Sequence, residues 1–306
     1  MNKGLLLVFL TAIISGFSIF INSIAVAGMN AFWFTTIKNL IVAIALFGLI
    51  LGLKEAKKLL ALTKKQLIKL LAISFTGGST AFLLFFYALK ESNAVNAGFI
   101  HKTLFVFVTI LALIFLKERL SKSFLIGATL LFIGNLIIFS GILKMQFNFF
   151  DFLILIATIL WAIENVIAKN VLKELNGTTV AFARMFFGSI IMLAFLFLSG
   201  NQINLTQISI ENIYWIILTA LLLFFYVFFW YNGLKLIEAH KATAILSFGQ
   251  IITAMLSIIF KGKTIEFNEA IGLTLILFGL IIIIGFTIII EKIGIQSISL
   301  AKNSKN

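Results

Sequence analysis

The sequence predicts an all-α, polytopic membrane protein: ten transmembrane helices in two inverted five-helix repeats, with both termini cytoplasmic. Three observations carry that prediction. Of 306 residues, 61% are hydrophobic and only 11% charged, against about 45–50% and about 25% in a soluble domain. The apolar runs come in lengths of roughly 20 residues, which is what a ~30 Å hydrocarbon core requires at about 1.5 Å per helical residue. Helices are the default for such runs, because backbone groups in lipid must be satisfied within the segment. Finally, a pattern in the first half of the chain recurs in the second, in spans that enter the bilayer from the other face.

The first run, roughly 4–27, follows Lys3. It ends in Ala25-Val26-Ala27, the form of a signal-peptidase site, but the apolar stretch exceeds the usual ~7–15 residues, so an uncleaved span is expected. The second, 31–53, closes at Lys54, where the segment KEAKKLLALTKKQLIK (54–69) reads as a charged loop that fixes topology, with a basic amphipathic linker lying on anionic headgroups as the alternative. The third, 67–89, ends at Lys90. The fourth poses a difficulty. Begun after Lys102, it would run only from Thr103 to Leu116, too short to cross; begun near Ala94, it draws His101 and Lys102 roughly 10 Å below the entry face. The remaining spans fall at 123–143, 150–172, 178–199, 212–234, 242–260 and 268–290. The chain has no proline, so any break in these helices has to come from Gly, Ser or Thr.

Of the 24 Lys and Arg residues, Lys38, Lys102 and Arg184 lie within spans. Lys90, Lys144, Lys261 and Lys263 fall on the side opposite the N-terminus, which leaves seventeen on the N-terminal side, Lys169 among them as an end-of-span residue that can snorkel out. That bias makes the N-terminal side cytoplasmic and the cell membrane the expected location. The net charge of +13 follows from it, so no nucleic-acid partner is expected; the partner is the lipid bilayer. Zero Cys excludes disulfides and thiolate metal sites, and two His with eleven acids make a metal enzyme hard to assemble. No cofactor and no metal are expected.

The repeat is specific. In FLIGATLLFIGNLIIFSGIL (124–143) and EAIGLTLILFGLIIIIGFTI (269–288), Gly127 matches Gly272, Thr129 matches Thr274 and Gly134 matches Gly279, an offset of 145 residues (272 − 127). The offset holds upstream, where Leu89, Lys90, Ala94 and Ala97 match Leu234, Lys235, Ala239 and Ala242. Nearer the N-terminus it becomes 146, pairing Asn30 with Asn176 and Lys38 with Arg184. The expected units are therefore 1–145 and 146–290, followed by a polar tail, 291–306. Five spans per unit is an odd number, so the second unit enters inverted. That architecture is typical of secondary transporters, whose sites lie between the halves near the midplane.

On the residues YALKESNAVNAGFIHKTLFVFVTILALIFLKERLS, with IGATLLFIGNLII behind them, the chain resembles the EamA-type permeases of the drug/metabolite transporter superfamily. The resemblance covers nearly the whole chain and implies a ten-helix carrier of small polar metabolites, most often an exporter. Arg184 sits where such proteins usually carry an Arg early in the second helix of a repeat. Two departures stand out. Phe105 and Gln250 occupy the positions of the family's usual prolines, and Lys263 that of a turn glutamate. A proline-shaped distortion is thus expected to be absent, or made by Gly249 instead.

Ionisable residues inside spans cost about 2.5–3.5 kcal/mol each on insertion scales, so they are functional candidates by default. Lys38, His101, Lys102 and Glu164 are predicted at similar depth, with Arg184 on the inner half. One reading pairs Glu164 with a lysine to hold helices together. A second makes the lysines and His101 an anion site for a carboxylate or phosphate. A third lets Glu164 or His101 carry a coupling proton. Trp161, Asn165 and Gln250 share that depth and complete the expected substrate-binding set with Lys38, His101 and Lys102; Glu164 is its counter-ion or proton-coupling group. Arg184, Asn39 and Tyr226 are pathway or structural candidates. The overall expectation is a non-enzymatic secondary carrier of a small polar molecule, acidic by preference. A lipid flippase or a non-transporting membrane partner is the alternative. An intramembrane enzyme would need paired acids or a nucleophile–base set, and there is one mid-span acid.

Overall fold

Among the described residues, ten helical segments are long and apolar enough to cross a membrane. The computed structural model describes residues 3–92, 94–142, 147–200 and 209–303; Lys144, Lys305 and the boundary expected between residues 145 and 146 lie outside them. No strand occurs among the described residues. Spans one and two are α1 (Lys3–Ala25) and α2 (Ala31–Gly52), and α3 (Ala56–Leu60) is a short exposed helix in the basic loop. The third span joins α4 (Lys64–Ile73) to α5 (Ala81–Glu91) through a π-helical stretch, Ser74–Thr80. The fourth is α6 (Ala94–Lys102), α7 (Leu104–Leu111) and a π turn at Ala112–Leu116. Then come α8 (Lys122–Ile142), α9 (Phe149–Val171), α10 (Gly177–Leu198) and α11 (Ile210–Leu236). The ninth span is α12 (Ala239–Ile245) with α13 (Phe248–Lys261), and α14 (Phe267–Asn303) continues through most of the tail expected after residue 290.

Equivalent residues of the two repeats do equivalent work. Asn30 caps α2 by accepting from the Phe32 and Trp33 amides, and its mate Asn176 caps α10 by accepting from Thr179. Each cap satisfies amides that an unfinished helix would leave bare in the membrane. Each also sets Lys38 and Arg184 two turns into their helices. The glycines cross over: a Cβ on Gly127 would lie 2.7 Å from the Gly279 carbonyl oxygen, and one on Gly134 would lie 2.6 Å from that of Gly272. Since Gly127 is the mate of Gly272 and Gly134 of Gly279, α8 and α14 pack antiparallel about a local two-fold relating the halves. Small residues allow that approach, the usual basis of helix association in lipid.

The helix breaks survive the loss of proline. The fourth span breaks at Thr103, whose hydroxyl bonds back to the Ile100 carbonyl at 2.6 Å, and the ninth breaks at Leu246–Ser247. The expectation of an absent or Gly249-made distortion is corrected: the ninth span turns just before Gly249, whose missing side chain instead admits α1, with the Ala12 carbonyl oxygen 2.9 Å from where its Cβ would stand. Both first half-helices, α6 and α12, therefore end inside the membrane with their carbonyl ends turned inward, from opposite faces.

At the loop after the fourth span, Lys117 takes a left-handed φ of 55°, and its repeat mate Gly262 one of 61°. The same turn then presents different side chains. Glu118 accepts from the Ala239 amide at 2.8 Å and the His240 amide at 3.2 Å, and lies 2.6 Å from His240 Nδ1. Burial pushes its carboxyl up, but the bonds from His240 and the two amides outweigh burial and hold it below the ordinary carboxylate value. On the opposite face its mate Lys263 instead bridges Glu269 at 2.9 Å. Lys169 does not simply snorkel: its ammonium donates to the Leu234 and Ile237 carbonyls at 2.7 and 2.6 Å, tying α9 to the α11–α12 junction.

Candidate functional site

Between the halves lies a central cavity of about 100 Å³. Lys38 of α2, His101 of α6, Trp161, Glu164 and Asn165 of α9, Arg184 of α10 and Tyr226 of α11 all line it, so seven of the residues singled out from sequence meet in one place. Its walls are largely aromatic: Phe82, Phe85, Phe86, Trp230 and Tyr231 border the same space.

Lys38 is only 1% exposed. Its ammonium donates to Asn22 Oδ1 at 2.9 Å and sits 3.9 Å from the centre of the Phe86 ring and 4.7 Å from that of Phe34. Among the described residues no carboxylate comes within ion-pair distance of it. A desolvated cation–π contact contributes about 2 kcal/mol or more, and a hydrogen bond from a charged donor about 1.5–3 kcal/mol. Together these offset the insertion cost of about 2.5–3.5 kcal/mol. The ammonium is thus held by an amide oxygen and two ring faces, with no carboxylate beside it among the described residues.

Glu164 pairs with Arg184, not with a lysine as one reading had it. The Arg184 Nε lies 3.9 Å from Glu164 Oε1, and the Tyr231 hydroxyl donates to the same carboxylate oxygen. Arg184 also donates to the Gly77 carbonyl at 2.9 Å and lies 5.0 Å over the Phe82 ring. The Gly77 carbonyl takes a second donor, Trp161 Nε1, at 3.1 Å. This carbonyl belongs to the π-helical stretch, where wider winding is often found at functional sites. Glycine is needed there twice. A Cβ on Gly77 would collide with the Glu164 side chain, and Gly78 lies against α10, where a Cβ on Gly188 would be 2.5 Å from the Gly78 carbonyl oxygen.

The other predicted residues divide. Asn165 is spent on the protein, accepting from Trp230 Nε1 at 2.8 Å and donating to the Trp161 carbonyl at 2.8 Å. His101 packs edge-on to Trp161 at 5.1 Å, and its Nδ1 is buried without a partner among the described residues. Tyr226 lies parallel to Trp230 on the cavity wall. Asn39 lies off the cavity and donates to the Gly78 carbonyl at 3.4 Å, gluing α2 to the third span.

Lys102 and Gln250, grouped with Lys38 from sequence, lie in a separate cavity of about 450 Å³. Adjacent residues on a helix point about 100° apart, so His101 turns to the central cavity and Lys102 away from it. The Lys102 ammonium donates at 3.3 Å to Ser15 Oγ and to the Leu246 carbonyl, which the break in the ninth span releases at the negative end of α12. Asn22 and Tyr231, polar residues within spans, join the charges only through the tertiary structure, Asn22 on Lys38 and Tyr231 on Glu164. Sequence reasoning missed the Gly77–Gly78 pair, for which two adjacent glycines inside an apolar span were the available signal.

Residues 2–140 and 148–285 each match the EamA-like transporter family. An uncharacterized transporter of Clostridium kluyveri is 28% identical over 297 residues, spanning 92% of this chain and 93% of its own. The uncharacterized transporter YetK of Bacillus subtilis is 23% identical over 275 residues, spanning 88% of this chain and 83% of its own. A crystal structure of a protein 15% identical in sequence superposes with a TM-score of 0.68, covering 89% of this chain and 97% of that one; the likeness is one of fold.

Proposed function

Because the chain belongs to the EamA-like transporter family, we propose that it exports a small metabolite carrying an acidic group across the cell membrane, by alternating access around the central cavity. One observation supports the choice of substrate. Lys38 is a buried cation held by an amide oxygen and two ring faces, with no carboxylate in reach among the described residues. Counting Arg184 and Glu164 as a neutral pair, the cavity keeps one positive charge, and an incoming carboxylate would complete it. The aromatic walls suit a solute with some apolar body. The two helix breaks, facing each other from opposite sides of the membrane, supply the places at which the halves can rock.

The test is flux into proteoliposomes of glutamate, succinate and lactate, with glycerol as the neutral control. Acidic solutes should carry the flux, and Lys38→Met should reduce it by roughly 10–100-fold, the value of one charge-assisted contact of about 1.5–3 kcal/mol. Acidic flux unchanged in Lys38→Met, or flux of glycerol alone, would refute the reading.

A further inference from the structure

The larger cavity lies outside the central site and holds more uncompensated charge. It runs beside α13, where Gln250, Thr253, Ser257 and Lys261 form a polar stripe at helical spacing on one face. By helix rise that stripe is about 16 Å long. Lys102 closes it at depth, and Lys261 and Lys263 stand at the outer end, on the face opposite the termini. Three ammonium groups thus face one carboxylate, Glu269, and that one is bound to Lys263. Lys102 is 3% exposed and has only the two long contacts to Ser15 and Leu246. Lys261 sits 5.2 Å over the Phe20 ring. Among the described residues neither has an acid within ion-pair distance.

A second observation points to a ligand. Gln250 gives its amide nitrogen to Asn135 Oδ1 at 2.8 Å, while its Oε1 is buried and bonded to nothing among the described residues. A buried acceptor left open costs about 1–3 kcal/mol, so a donor belongs there. At about 450 Å³ the cavity falls within the ~300–1,000 Å³ of ordinary ligand pockets, whereas the central one in this conformation does not.

We propose that this cavity is a second binding site, for a small organic anion that also carries a hydroxyl or amino group: the anion is taken by Lys102 and Lys261, and the donor by Gln250. It lies on the path from the face opposite the termini toward the helix breaks, and would stage a solute for, or receive it from, the central cavity. The site stands on its own charges and does not require Lys38 to bind substrate.

The measurement is equilibrium dialysis of labelled malate and glycerol 3-phosphate against the full chain in phosphatidylcholine nanodiscs. Lys261→Gln should remove one bound anion per chain or weaken its binding at least about tenfold. This variant lies at the rim and leaves the Lys102–Leu246 contact in place, so folding is spared. If the central cavity also binds the anion, Lys38→Met removes a different one; if it does not, Lys38→Met changes nothing and only the reading of the central cavity fails. No binding of either anion, or a count and affinity untouched by Lys261→Gln, overturns the proposal. So does displacement of the solute when phosphatidylglycerol replaces phosphatidylcholine, which would assign the lysines to a lipid headgroup.

Discussion

The Glu164–Arg184 pair can be weighed against the rest of its surroundings by a double-mutant cycle. At 3.9 Å two unit charges interact by about 4 kcal/mol at the effective dielectric of about 20 that suits protein sites. Both side chains are nearly inaccessible, 2% and 6% exposed, so neither can turn to water when its partner goes. Glu164→Gln keeps an acceptor for Tyr231 but leaves the guanidinium with the Gly77 carbonyl, the Met185 sulfur and the Phe82 ring, none of them an anion. Stranding a buried charge in this way costs about 3–5 kcal/mol. Arg184→Gln strands the carboxylate with Tyr231 alone. The double variant carries no charge here and should lose far less than the sum of the two, giving a coupling energy of about 2–4 kcal/mol. Unfolding by dodecyl sulfate in mixed micelles reads it, followed by the fluorescence of Trp161 and Trp230 beside the pair. Independent sites add to within about 0.5 kcal/mol, so a coupling below that figure would refute the claim that this pair ties α9 to α10.

Two further outcomes are expected. Protonating Glu164 would release Arg184, so coupling to a proton is expected there; Glu164→Gln proteoliposomes should lose the acceleration that a pH gradient gives wild type, and equal acceleration in both would remove Glu164 from that role. At the basic end, Glu118→Gln should cost about 2 kcal/mol at neutral pH, the value of hydrogen bonds to a charged acceptor. Because the folded Glu118 carboxyl binds its proton less tightly than the unfolded one, that contribution is full above the ordinary carboxylate value near ~4.3 and fades as pH falls below it through the lower folded value. Unfolding of wild type and variant between pH 3 and 7 should therefore converge at the acid end; a gap that widens there would contradict the assignment.

The sequence was enough to find where charges lie along each helix, but not around it. Depth follows from counting residues at a fixed rise, so Lys38, His101, Lys102 and Glu164 were legible as a layer. Azimuth depends on how each helix is rotated against its neighbours. One step of about 100° sends His101 into the central cavity and Lys102 into the other. Arg184, set toward the inner half by its residue count, reaches Glu164 because a guanidinium is long and the Gly78–Gly188 contact brings α10 close to the third span.

Ten spans and the inverted repeat were determined by the chain alone, because hydrocarbon leaves an apolar run of that length one solution and a doubled pattern of caps and glycines records the symmetry. The partners of the buried charges were decided only in three dimensions. The Gly77 and Leu246 carbonyls act as acceptors because a π-helical winding and a proline-free break expose them. Such departures from the regular helix are set by the packing of neighbouring helices, which no local stretch of residues encodes.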